Sequence, residues 1–211
     1  MKILNAFSGI GMNTKNWDRK EHTITHVEKN EEIADCLKDL QPKDQVVIAD
    51  AYKYIEKNHD RYDFIWASPP CPTHSSIRKA GAKNGQYREK MPDFKLYSII
   101  EFLNEFFEGD YVVENVAKTW YDPWIEPQET SRHFFWSNFV VPEVDVPTQN
   151  IHSGNITEWE AAFDIDLSSY SFETVEKRKV LRNCVHPKLG EKILAAKKTR
   201  QQKLEMKVKP K

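Results

Sequence analysis

The sequence predicts an α/β domain: a doubly wound, mostly parallel sheet with helices on both faces. Two observations predict it. Short apolar runs of strand type alternate with stretches of helical period, and the strand-like runs end in small, acidic or rigid residues. In such sheets ligands bind beyond the carboxyl ends of the strands, which makes those ends the place to look for chemistry.

Lys2–Phe7 reads as the first strand, turned by Ser8-Gly9-Ile10-Gly11. Thr23–Val27 reads as the second. Ile33, Ala34, Leu37 and Leu40 then share one helical face. Val46–Ala49 is a third strand ending at Asp50, and Asp63–Ala67 a fourth, stopped by Ser68-Pro69-Pro70. Residues 72–93 show no period and contain Gly81 and Gly85, which predicts a long loop. Phe94–Phe107 reads as a helix with Tyr97, Ile100, Leu103 and Phe107 on one face. Tyr111–Val113 and the aromatic His133–Val141 read as the fifth and sixth strands. Residues 142–176 are polar and weakly patterned. Pro187 starts a final helix, with Leu189, Ile193 and Leu194 facing in.

The 211 residues suit one domain, or one domain with a small appendage. An aromatic content of 12%, including 6 Trp, argues for a packed core over disorder, although 30% of the residues are charged. No apolar run approaches the ~18–20 residues of a membrane span, and the N-terminus lacks signal-peptide regions, so no membrane association is expected. Cys36, Cys71 and Cys184 have no CxxC spacing. That excludes a disulfide framework and a cysteine zinc site and fits a reducing, cytoplasmic compartment. His74 and His186 have no metal-ligand partner at suitable spacing, so no metal is expected. Trp66 reads as core, and Trp120, Trp124 and Trp136 as packing residues.

The net charge of −1 hides an asymmetry. Residues 177–211 hold 13 Lys/Arg against 2 Asp/Glu, leaving the body acidic. A basic end on an acidic body can follow a polyanion. Arg78, Lys79, Lys83, Arg88, Lys90 and Lys95 form a second basic cluster after an unusual Pro-Pro-Cys-Pro. Arg78, Lys79, Lys83, Arg88 and Arg178 are the candidate nucleic-acid contacts.

The strand ends carry the chemistry. Gly9 and Gly11 let the backbone turn tightly and come close to a ligand. Glu28, about 20 residues on, stands where a carboxylate accepts ribose hydroxyls, and Asp50 can accept an adenine amino group. In that order they suggest an adenosine-containing cofactor. Cys71 lies in a loop stiffened by prolines at the active edge of the sheet, where it can act as a nucleophile if cations or a helix N-terminus favour its thiolate. Glu114 directly follows three apolar residues. Desolvation there should raise its pKa and make it a proton donor near neutral pH.

These residues resemble the DNA cytosine-5 methyltransferase family, in its motif order. Leu4-Asn5-Ala6-Phe7-Ser8-Gly9-Ile10-Gly11 is similar to its S-adenosylmethionine-binding first motif, and Glu28 and Asp50 match its ribose and adenine acids. Pro70-Cys71 matches the catalytic Pro-Cys, and Glu114-Asn115-Val116 the Glu-Asn-Val. Arg132 falls near the Arg-x-Arg motif, and Asn183-Cys184-Val185-His186-Pro187 resembles the late motif beside the cofactor. The resemblance implies a Rossmann-like class I S-adenosylmethionine-dependent methyltransferase fold. It implies Cys71, Glu114 and Arg132 as catalytic, and Phe7, Ser8, Gly9, Gly11, Glu28, Asp50, Pro70, Asn183 and Val185 as cofactor-binding. The implied reaction methylates carbon 5 of cytosine in DNA after Cys71 adds at carbon 6.

The sequence departs from the family pattern at four points. Asn5 replaces the usual acid, Pro72 follows the Cys, and the arginine motif offers one arginine. The recognition region is also short. The expected layout is a cofactor-binding and catalytic domain over 1–141, a minimal target-recognition segment over 142–181, the remainder of the catalytic domain over 182–200 and a basic tail over 201–211. So reduced a segment predicts weak sequence specificity, a single-stranded substrate, or help from a second copy or a partner. Small size suits a phage or mobile element, hence a bacterial or phage-infected cytoplasm. Two alternatives remain: the same chemistry on RNA, and a cofactor-binding remnant that recognises nucleic acid or serves a partner enzyme.

Overall fold

The computed structural model describes residues 1–146 and 155–197. Seven strands form one sheet in the order β3-β2-β1-β4-β5-β7-β6. β1 (Lys2–Ala6), β2 (Thr23–Glu28), β3 (Gln45–Ile48), β4 (Phe64–Ala67) and β5 (Asp110–Val116) run parallel. β7 (His133–Ser137) is antiparallel to β5, and β6 (Gln128–Thr130) antiparallel to β7.

The period-2 alternation of each strand feeds two cores. Leu4, Ala6, Ile65, Ala67, Tyr111 and Val113 face α2 (Ala51–Asn58) and α4 (Lys95–Phe106), burying Ile55, Ile100 and Leu103. On the other face, Ile3, Phe64, Trp66 and Val112 meet Trp17 and, from α7 (Pro187–Ala195), Leu189 and Ile193. Gly190 of α7 packs directly on the 3₁₀ turn Met12–Thr14, where an added Cβ would lie 1.9 Å from the Asn13 carbonyl oxygen. The chain winds outward from β1 to β3, then returns to β4 on the other side. That reversal opens a crevice at the carboxyl ends of β1 and β4.

Several expectations are corrected. Residues 72–93 are not a continuous loop: Ser75 caps Ile77 N–H and starts α3 (Ser76–Lys83). Short length and exposed cations hide its period. The aromatic strand stops at Ser137, not Val141. There Asn138 turns inward, accepting from Tyr111 N–H and donating to the Gly109 carbonyl, so a side chain replaces the ladder. β5 runs on to Val116, because β7 pairs with Glu114, Asn115 and Val116. The weakly patterned region 142–176 contains α5 (Ile156–Phe163), opened by an Asn155–Glu158 capping box, and is followed by α6 (Lys177–Arg182).

α5 and α6 pack against α1 (Glu31–Leu40) and the turn after β1, through Trp159, Phe163, Val180 and Leu181 against Ile10, Met12 and Cys36. Most of the segment expected to serve target recognition is thus docked on the catalytic body. Residues 147–154 of it, and the basic tail 201–211, lie outside the described residues. Among the described residues no helix is long and apolar enough to cross a membrane, and no group of three His, Cys, Asp or Glu side chains could hold a metal ion.

Candidate active site

The turn after β1 forms one wall of the crevice. Phe7 takes a left-handed backbone (φ 55°), uncommon for a residue with a Cβ, and its ring packs edge-on against Tyr52 at 4.7 Å. Gly9 (φ 53°) donates its N–H to Glu28 Oε2 at 2.9 Å, and a Cβ built there would meet nothing within 4 Å. The backbone at Gly9 therefore borders open space. Gly11 differs: a Cβ there would strike Gln41 and Leu37, so this glycine serves packing beneath the turn. The Ser8 hydroxyl is buried and has no hydrogen-bond partner. Glu28 also accepts from Lys29 N–H and Asn30 N–H, which fixes its carboxylate at the end of β2. Asp50 caps α2 by accepting from Lys53 N–H, two residues before Tyr52.

Under this turn Asn5, at the position of the family's usual acid, is buried in a polar network. Its amide pairs reciprocally with that of Asn13 and also donates to His26 Nδ1 at 3.1 Å. His26 therefore carries its proton on Nε2 and donates to Asp44, which also accepts a two-pronged bond from Arg19. Burial pushes the His26 pKa down, while Asp44 is held below the usual carboxylate range by its bonds from His26 and Arg19, which outweigh its burial. The network anchors β1, the 3₁₀ turn and β2 to one another.

The opposite wall is the loop after β4. Pro69 is buried, Pro70 exposed and Cys71 half-buried. Asn115, 2% exposed, donates from Nδ2 to the Pro69 carbonyl at 3.0 Å and fastens this loop to β5. His74 N–H and Ser75 N–H both donate to the Cys71 carbonyl. Burial first, and the charge of Glu114 second, push the Cys71 thiol up to about 11, while Arg182 and Lys179 of α6 pull the other way. The thiol thus sits within the electrostatic reach of one carboxylate and two cations.

Glu114, 8% exposed, is joined to His133 by a 2.7 Å bond between Oε1 and Nδ1. The antiparallel register of β5 and β7 makes the pair, because it sets His133 opposite Val116, two residues beyond Glu114. Arg132 precedes His133 and follows Ser131, whose left-handed backbone (φ 57°) forms the β6–β7 hairpin. Its guanidinium lies 5.5 Å over the Trp159 ring, with Nη1 buried and without a partner. Burial lowers the Arg132 pKa, and the carboxylate of Glu114 opposes that shift. Cys71, Glu114 and Arg132 therefore share one electrostatic neighbourhood.

The remaining sequence-selected residues divide. Val185 is buried against Ile3 and Trp66 on the α7 face, and Asn183 ends α6 as an exposed cap. Arg78 lies over the Tyr87 ring and Lys79 over the Trp120 ring, while Lys83, Arg88 and Arg178 are exposed. His133, Asn115 and the α6 cations were not singled out from sequence for these contacts. Each gains them from strand register or from a long-range approach that spacing does not reveal.

A family model described as C-5 cytosine-specific DNA methylase matches residues 1–119. No curated protein matches the chain. Solved structures with partial likeness include a conserved hypothetical protein of Streptococcus pyogenes (14% identity, 64% of this chain and 83% of that one, TM-score 0.43). A SAM-dependent methyltransferase of Agrobacterium tumefaciens gives 18% identity over 55% of this chain and 38% of its own, at TM-score 0.40. A mutant of Spodoptera frugiperda DNMT2 gives 23% identity over 55% of this chain and 35% of its own, at TM-score 0.37. The chain thus spans well under half the length of the last two. Each of these three TM-scores lies below 0.5.

Proposed function

We propose, from the premise that the chain belongs to the C-5 cytosine-specific DNA methylase family, that it methylates carbon 5 of cytosine in DNA through a transient bond from Cys71. S-adenosylmethionine is the cofactor of this family. The crevice fits it: the backbone at Gly9 borders open space, and the buried Ser8 hydroxyl lacks a partner. Phe7, Ser8, Gly9, Glu28 and Asp50 would hold it, with Glu28 and Asp50 as the polar acceptors at successive strand ends. Bound there, the cofactor supplies an electrophilic methyl group on a sulfonium sulfur.

The residues of this chain do the rest. Cys71 sulfur adds to carbon 6 of the base, which makes carbon 5 nucleophilic. Glu114 donates a proton or hydrogen bond to ring nitrogen 3, and Arg132 bonds the O2 oxygen where negative charge develops. After methylation, loss of the carbon-5 proton expels the Cys71 sulfur. Lys179 and Arg182 support the thiolate from α6. His133 acts as a positioning residue that holds Glu114 in place. Arg78, Lys79, Lys83, Arg88 and Arg178 contribute phosphate contacts.

The observation that carries this reading is a partly buried Cys71 within the electrostatic reach of Glu114, which in turn interacts with Arg132. The test uses oligonucleotides with 5-fluorocytosine, from which fluorine cannot leave as a proton does. A cofactor-dependent covalent adduct mapped to Cys71 is expected. An adduct at another residue, or none from a chain that binds cofactor, overturns the covalent mechanism. Matched DNA and RNA arms decide the substrate.

A further inference from the structure

Trp124 departs from its sequence reading as a packing residue: it is 68% exposed. It is nevertheless held in place. Its ring stacks on Phe94 at 4.0 Å and 22° and lies nearly parallel to Tyr97 at 5.7 Å, and the Trp124 backbone N–H donates to the Tyr97 hydroxyl at 3.2 Å. Phe94, 37% exposed, belongs to the stretch after Cys71, which exposes two further large apolar side chains, Met91 at 87% and Tyr87 at 51%. The same stretch carries Lys83, Arg88, Lys90 and Lys95, all exposed. Both sides of the patch are tied to the loop of the nucleophile. Asp93 N–H donates to Thr73 Oγ1 at 3.0 Å, and Trp120 Nε1 donates to the Thr73 carbonyl at 2.9 Å. Thr73 is two residues beyond Cys71.

A held, largely exposed indole, stacked on Phe94 of a stretch that carries unburied cations and is tied to the loop of the nucleophile, has the two parts of a single-strand site. These are an aromatic surface on which any base can stack and a positive surface that follows the phosphates. We propose that Trp124, backed by Phe94 and Tyr97, is a stacking platform for an unpaired base of a DNA strand near the target cytosine. The proposal rests on the nucleic-acid reading above and deepens it by naming single-stranded DNA as the form bound.

The two readings fail separately. Binding of a cytosine-containing single-stranded DNA 12-mer, a matched blunt duplex and matched RNA is measured by anisotropy across a salt series. The proteins are the full chain and its W124A, W124F and Lys83→Ala/Arg88→Ala variants. Stacking is worth about 1–3 kcal/mol per base, so W124A should bind the single-stranded DNA roughly tenfold more weakly, with W124F largely restored. The slope of log affinity on log salt should stay unchanged in W124A and become shallower in the lysine–arginine variant, because only the latter loses phosphate contacts. The duplex, which offers no unpaired base, should bind W124A and the parent alike. W124A binding the single strand as tightly as the parent overturns the platform. So does a salt slope altered in W124A, or an equal loss on the duplex. A loss on RNA but not on DNA overturns the choice of DNA. Adduct formation at Cys71 in the parent chain tests the reaction by itself, so a failed platform and a failed reaction are told apart.

Discussion

Replacing Glu114 by Gln should move two properties of the site in opposite directions. The Cys71 thiol is pushed up to about 11 from its usual 9.0, with burial the largest cause and the Glu114 charge the second. At pH 8 that leaves roughly one thiolate in a thousand, against about one in ten for an unshifted thiol. Removing a like charge at close range lowers an acid's pKa by on the order of one unit. Only the thiolate attacks iodoacetamide, so Cys71 in E114Q should be alkylated about tenfold faster at a given pH below 10. Methyl transfer should fall about 10²- to 10⁴-fold in the same variant, since the proton donor is lost. Alkylation is followed by mass spectrometry of the Cys71 peptide between pH 7 and 10. Cys36, 0% exposed and pushed up to about 12, and the buried Cys184 provide internal controls. Lys179→Ala and Arg182→Ala should slow alkylation, because each removes a charge that favours the thiolate. Equal or slower alkylation of a folded E114Q, with a melting temperature matching the parent, would refute the coupling of the two groups.

Three further outcomes are expected. Asn115→Ala strips a buried bond from the Pro69 carbonyl; the unsatisfied acceptor costs about 1–3 kcal/mol, seen as a fall of several degrees in Tm together with slower adduct formation at Cys71. His133→Phe keeps the ring volume but loses the 2.7 Å bond to Glu114, so kcat should drop about tenfold or more while KM for the cofactor holds, with partial recovery in His133→Gln; a change confined to KM would count against a positioning role. Stability should decline on acidification. His26 is neutral when folded and its pKa is lowered, so below about 6.5 the unfolded chain binds the extra proton and stability falls from that pH downward. Asp44, also lowered, adds a further loss below its unfolded value. His26→Gln should flatten the part of the Tm profile between pH 7 and 5 while lowering Tm throughout.

Much of the sheet could be read from local pattern. The apolar runs at Lys2, Thr23, Val46 and Asp63 became β1 to β4, because a short continuous apolar run bounded by turn residues is a local property. The helix from Lys95 was legible from its helical-face spacing, and the start of α7 from Pro187 at the first helical position. α3, α5 and α6 were not. They run 8, 8 and 6 residues, and short helices held by caps and tertiary contacts leave little period to detect. At the site, the order of Gly9, Glu28, Asp50, Cys71 and Glu114 along the chain matched a family pattern. The partner of Glu114 did not appear, since only the β5–β7 register brings His133 to it.

The sequence by itself determined the strand–helix alternation, the family and the residue types at each strand end, because these depend on neighbours close along the chain. Tertiary structure alone decided which groups share an electric field. It set Lys179 and Arg182 against Cys71 from more than 100 residues away, laid Arg132 on Trp159, and turned Gly11 inward while leaving Gly9 open. The physical reason is range. Periodicity and turn chemistry act over a few residues. Charge coupling, desolvation and exposure depend on distances in space, and only the folded chain sets those.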